Sequence, residues 1–234
     1  MKMNGIELQA RYSYAPCCLG YCGPRSFPAI FEGYLREKID LSELKKEVDK
    51  FVVPCSYRAL IAKHTNSDPD SYEVTEALWI GNKMLDNVPA LALRDFIKTD
   101  LVKTGLDKFR AEKLAKNMPT TIVPHHSFHT LYIQFVSEEV PRDIDSFDQC
   151  KIGWGKVIGK TTNTLELEYS QLFFSKQFYL EKSNKTIKRG FVTDVKIGDF
   201  VSTHWGSAVQ VITKRQVANL SYYTQKIIDA INGC

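Results

Sequence analysis

The sequence predicts an α+β protein: a mainly helical N-terminal domain, then a small β-barrel closed by a C-terminal helix. Three observations lead there. Apolar residues recur at three- and four-residue steps through the first 120 or so residues, the signature of helices with one buried face. After Cys150 the pattern changes to short alternating stretches separated by turn residues, which suits a small barrel. The last 20 residues return to a helical stripe.

The elements follow in order. Asn4 with Glu7 resembles a capping box, and the helix it starts is expected to stop near Pro16, because proline disfavours a helical residue before it. Cys17–Pro24, with two Gly and a Pro, predicts a loop. A second helix follows Pro28, and a third starts at Asp40 or Ser42 and runs toward Lys50. The clearest helix is Tyr72–Val88, capped by Ser71, with Val74, Ala77, Leu78, Gly81, Met84, Leu85 and Val88 on one stripe. Further helices are expected over Leu91–Lys103 and Asp107–Asn117. Thr130–Val136, rich in β-branched and aromatic residues, predicts a strand, and the polar stretch Val140–Gln149 a linker. The domain boundary is therefore expected at 147/148. Strands are expected at Lys151–Lys160, Leu165–Phe174, Gln177–Glu181, Lys188–Thr193, Asp199–Thr203 and Ala208–Ile212. Thr213 and Gln216 form a capping box for the terminal helix, whose buried stripe is Val217, Leu220, Thr224, Ile227, Ile228 and Ile231.

Composition narrows the function classes. With 44% hydrophobic and 25% charged residues, the 234-residue chain is an ordinary globular protein. A net charge of +4 is too small for a dedicated nucleic-acid binder. No run of 18 apolar residues offers a membrane-spanning helix. The start lacks an apolar signal core, and six Cys in this length do not make a disulfide scaffold, so a cytoplasmic protein with reduced thiols is expected. Residues 148–234 carry 12 Lys and Arg against 7 Asp and Glu, an excess that suits a solvated surface or an acidic protein partner.

Two separated motifs carry the most specific signal. Cys150 opens Cys-Lys-Ile-Gly-Trp-Gly-Lys-Val, and His204 lies in Gly-Asp-Phe-Val-Ser-Thr-His-Trp-Gly-Ser-Ala-Val, residues 198–209. Together they resemble the small chaperones of nickel–iron hydrogenase maturation, the HypC/HupF type. That family opens Cys-Leu-Gly-Ile-Pro-Gly-Lys-Val and later carries Gly-Asp-Tyr-Val-x-x-His-x-Gly-x-Ala-Ile before a helix. The resemblance covers residues 150–231. It implies an OB-like barrel with a C-terminal helix and a carrier that docks on a protein scaffold or acceptor enzyme. The family's leading Cys binds an iron centre carrying cyanide and carbon monoxide, so Cys150 is the implied thiolate ligand. His204 is implied as second ligand or hydrogen-bond donor. The chain departs from the family pattern in placing this Cys internally, in having Trp154 where the family has Pro, and in the 149 residues ahead of it.

The segment Pro124-His125-His126-Ser127-Phe128-His129 holds three of the five His. His125 and His129 share a face on a helix or a strand, and neutral imidazole is a common metal ligand. Together with Cys150 and His204, one or more of His125, His126 and His129 is expected to build a composite metal site at the domain junction. Iron is the metal the resemblance implies, with zinc as the alternative. An enzyme with a metal- or cysteine-dependent site, or a barrel serving only as an interaction platform, are the other readings. The cluster Cys17, Cys18 and Cys22, with Cys55, does not match zinc or iron–sulfur spacing. Asp199 beside Cys150 and His204 suggests a hydrolase triad, yet Gly198-Asp199 is more simply a turn into a strand.

Overall fold

The computed structural model describes residues 3–134 and 143–233. The chain forms two compact units, Met1–Met118 and Pro119–Cys234. The expected boundary at 147/148 falls inside the second unit, which therefore owns the His-rich segment as well as the barrel.

The first unit is helical. Helix α1 spans Gly5–Cys18, with the Asn4 side chain accepting from the Glu7 amide. It contains Pro16 and ends two residues past it, not at it. Only one intrahelical bond is lost that close to the end, and Leu19 still donates to the Ala15 carbonyl. Helices α2 (Phe27–Leu35) and α3 (Leu41–Val48) follow; Pro28 sits in the first turn of α2, and Asp40 caps α3. Helix α4, Val52–Thr65, was hidden from the sequence reading by Pro54 in its first turn. The expected Tyr72–Val88 helix is cut short. Helix α5 spans Tyr72–Trp79, and a 3-10 helix occupies Lys83–Asn87. Gly81 takes φ 91°, and the Asn82 side chain restarts the chain by accepting from the Met84 amide. Helix α6 (Ala90–Phe96) runs into a π-helical turn, Ile97–Leu101, and α7 covers Lys108–Asn117. Trp79 stacks on Tyr12 at 5.0 Å and donates to Gln9, which locks α5 to α1.

The second unit begins with α8, His126–Phe128, continued by a π-helical turn His129–Gln134. The strand expected at Thr130–Val136 is thus helical through Gln134, and its last two positions lie outside the described residues. Phe128, Leu131 and Tyr132 are buried at helical spacing, and the Thr130 hydroxyl bonds back to the His126 carbonyl, which eases a β-branched residue into a helix. The expected linker is also structured where it is described. Helix α9, Ile144–Cys150, is capped by the Asp143 side chain on the Ser146 amide; residues 140–142 lie outside the described residues.

The barrel strands are β1 (Gly153–Lys160), β2 (Thr164–Phe174), β3 (Phe178–Lys188), β4 (Phe200–His204) and β5 (Ser207–Ile212). They close in the order β1-β2-β3-β5-β4, antiparallel except for one parallel contact, Lys188 with Ser207. This is an OB-like barrel. The stretches expected as strands at Gln177–Glu181 and Lys188–Thr193 resolve differently: β3 is one long strand, and after Lys188 the chain turns, held by the Arg189 side chain on the Val192 carbonyl. Gly190, at φ 59°, is required there, since a Cβ would lie 2.1 Å from the Ala208 oxygen. Val157, Leu165, Leu167, Tyr169, Ile187 and Val201 fill the interior. The terminal helix α10, Lys214–Asn232, has the predicted Thr213/Gln216 capping box. Its buried residues are Leu220, Tyr223, Thr224, Ile227 and Ile228. Asn232 exchanges two hydrogen bonds with the Phe178 backbone, tying the end of α10 to the start of β3.

Candidate metal centre

Cys150 is the last residue of α9, and the carboxylate of Asp148 holds that helix in place. Asp148 is 1% exposed, yet each of its oxygens is used. Oδ1 accepts from the Leu172 amide at 2.8 Å and pairs with Lys151 Nζ at 3.0 Å, while Oδ2 pairs with Lys185 Nζ at 2.6 Å. Lys151 is itself fully buried and also donates to the Tyr169 hydroxyl at 3.2 Å and the Ser170 carbonyl at 3.1 Å. The Asp148 carboxyl stays below its ordinary value: burial pushes it up, but the two lysines outweigh burial. The network pins both sides of Cys150 to β2 and β3. Gly153 makes room for it, since a Cβ there would lie 2.1 Å from the Tyr169 hydroxyl.

His204 reaches the same end of the barrel on the neighbouring strand. Strands β1 and β4 are antiparallel, with Gly153 opposite Thr203 and Trp154 opposite Ser202. One further step of that register puts His204 opposite Ile152, two residues from Cys150. The turn after His204 is tied to the same helix end, because the Trp205 amide donates to the Gln149 carbonyl at 2.9 Å. The third side chain comes from α8. The ring of His126 meets that of His204 edge-on, with centroids 5.3 Å apart. One ligand atom from each of His126, Cys150 and His204 lies within 4.8 Å of the others. Among the described residues this is the one such group of His, Cys, Asp or Glu.

The surroundings fit a sulfur ligand. The Thr130 hydroxyl lies 3.6 Å from Cys150 Sγ, and the thiol donates to Gln134 Oε1 at 3.5 Å. Burial raises the thiol to about 11 against the pull of the Thr130 and Trp205 hydrogen bonds. His126 is held well below its ordinary value, first by desolvation and then by the neighbouring His204, His129 and His125. A neutral imidazole is the form that ligates a metal. Cys150 and His204 are buried, and His126 is the partly exposed member of the group.

The structure separates the three clustered histidines. His126 joins Cys150 and His204. His125 is fully buried, accepts from the Ser127 amide through Nδ1 at 3.2 Å and stacks toward Tyr223, so it starts α8 and packs on α10. His129 is outside the three-residue group, and burial lowers it to about 4. The composite site lies wholly within the second unit. Asp199 accepts from the Lys196 amide at 2.8 Å, a turn into β4. In the first unit, Cys17 donates to the Pro24 carbonyl, Cys55 donates to the Val48 carbonyl and accepts from Arg58, and among the described residues neither joins a group able to hold a metal.

Sequence reasoning missed Asp148, Lys151 and Thr130. The spacing Asp148–Lys151 in a segment read as linker was the available signal. For Thr130 it was the four-residue step from His126.

A profile for a family of unknown function (DUF6390) matches residues 1–234. The chain belongs to that family. No curated protein and no solved structure matches it.

Proposed function

We propose that the second unit binds a metal centre through Cys150, His204 and His126, and that it works as a carrier for that centre. The observation that supports this is the convergence of one thiol and two imidazoles within 4.8 Å. Bonds of about 2.3 Å to sulfur and 2.0 Å to nitrogen imply donor spacings of about 3.3–3.5 Å in a tetrahedral site, so small side-chain movements complete it. A thiolate with two imidazoles suits iron, zinc or copper(I) better than a hard cation. The motif resemblance favours iron carrying cyanide and carbon monoxide as cargo, delivered to a protein acceptor. Such cargo is anionic, and the basic excess of residues 148–234 suits it and an acidic partner alike.

A second reading is a zinc enzyme. Three protein donors are the complement of a catalytic zinc site that keeps one position open. Anaerobic purification followed by metal analysis and infrared spectroscopy separates the two. Cyanide and carbon monoxide bands that disappear in Cys150→Ser support the iron carrier. Zinc without those bands supports the enzyme. No metal in the wild type, with Cys150→Ser behaving identically, overturns both and leaves the barrel as an interaction platform.

A further inference from the structure

Thr130 lies one helical step past His126, in the π-helical turn His129–Gln134, and is fully buried. Burying a hydroxyl costs free energy unless it is hydrogen bonded, and Val would fill the same space without one. This hydroxyl touches two of the three candidate donors. Its oxygen is 3.4 Å from His126 Nδ1 and 3.6 Å from Cys150 Sγ. The His126 carbonyl is 3.3 Å away. A hydroxyl has one proton and two lone pairs, so it cannot donate to all three at once. With Cys150 as a thiol, whose proton is directed at Gln134 Oε1, the Thr130 proton belongs to the His126 carbonyl. A metal that displaces the thiol proton leaves a thiolate, and a hydrogen bond to a charged acceptor is the stronger one. The Thr130 proton then turns to the sulfur, and its lone pair accepts from His126 Nδ1–H.

We propose that Thr130 is a positioning residue of the Cys150–His204–His126 group: its hydroxyl links His126 Nδ1 to Cys150 Sγ, so that His126 meets the metal through Nε2 and the sulfur binds as a hydrogen-bonded thiolate. This rests on the metal-centre reading and extends it to which nitrogen ligates and how strongly the sulfur binds. A neutral imidazole carries one N–H, and the hydrogen bond made by one ring nitrogen decides which nitrogen is left to the metal. A thiolate that accepts a hydrogen bond gives less charge to a metal, so removing the donor lowers the energy of sulfur-to-metal charge transfer. Partners of this kind also orient the ligand, and their loss typically weakens metal binding by about 10–100-fold.

The test is cobalt(II) titration of the full chain. Thr130→Val keeps the shape without the hydroxyl, and Thr130→Ser keeps the hydroxyl without the methyl group. Thr130→Val is expected to bind cobalt about 10–100-fold more weakly, with the charge-transfer band at longer wavelength. Thr130→Ser is expected to keep the wild-type band. A role in packing alone would leave the band of Thr130→Val in place. A wild type that binds cobalt, with the band unmoved in Thr130→Val or moved equally in Thr130→Ser, overturns the inference and leaves the metal-centre reading intact. Nitrogen-15 spectra of the zinc-loaded wild type need no variant to fold. They are expected to show a proton on His126 Nδ1 and zinc on Nε2; zinc on Nδ1 overturns the inference alone. A wild type that takes up neither cobalt nor zinc overturns the metal-centre reading, and the inference with it.

Discussion

Cys150 is a neutral thiol in the folded protein, with its proton directed at Gln134. A metal that binds it must displace that proton. With the thiol raised to about 11, cobalt or zinc binding at pH 8 is expected to release one proton from Cys150, measured by calorimetry in buffers of different ionisation enthalpy. Cys150→Ser is expected to abolish uptake. His126→Ala and His204→Ala are expected to weaken it at least tenfold, while His125→Ala should leave the stoichiometry unchanged, because its Nδ1 is engaged with the Ser127 amide. His129 makes a separate prediction. Its folded value of about 4 lies below the ordinary 6.5, so below pH 6.5 the unfolded chain takes a proton that the folded chain refuses. Stability is therefore full above pH 6.5 and falls as pH drops toward 4, by at most about 3 kcal/mol. Melting curves across that range should show His129→Phe flattening the acid limb. At this scale the sequence exposed Cys150 and His204 through their motifs, and a histidine partner through clustering. It could not select His126, because equal spacing of His125 and His129 looked like the stronger pair until the start of α8 was known.

Helix α9 ends in Cys150, and its anchor is electrostatic. Asp148→Leu removes the carboxylate from a fully buried Lys151, leaving a charge in the interior with only neutral partners. The expected cost is about 3–5 kcal/mol by denaturant unfolding, and the double variant Asp148→Leu with Lys151→Met should recover most of it. That recovery with poor metal uptake would show that the pair serves the placement of Cys150. At the other end of the unit, Thr213→Ala removes the capping box of α10 and should cost about 1 kcal/mol. Capped helices and alternating strands were legible before the structure, as α3, α7, β2 and α10 illustrate. The His-rich stretch was not, because Thr130-Leu-Tyr-Ile suits a strand by composition while the cap at His125 and the back-bonded Thr130 hydroxyl fix a helix. The wider π turn then keeps His126, Thr130 and Gln134 near one line: on an α-helix every fourth residue overshoots by about 40°, and a turn with more residues falls short.

On the scale of the chain, all three donors and the surrounding hydrogen-bond partners belong to Pro119–Cys234. A fragment starting at Pro119 is expected to bind one metal ion with the affinity of the full chain. A fragment starting at residue 148 lacks His126 and Thr130 and should bind at least tenfold more weakly; metal stoichiometry after desalting decides. No helix among the described residues is long and apolar enough to cross a membrane. The helical first unit supplies none of the three donors. The barrel itself was readable from alternation and turns. Its closure was not, because pairing β1 with β4 joins residues some 50 positions apart, and no local pattern encodes which edges meet.

That seam makes the group vulnerable to a kind of lesion that leaves every donor in place. Side chains alternate across a strand, so deleting one residue between Phe200 and Thr203 would turn the imidazole at the strand's end toward the opposite face. The chain would keep its cysteine, its histidines and most of its barrel, and the three would no longer meet. The proposed metal site depends on counting residues correctly along one short edge.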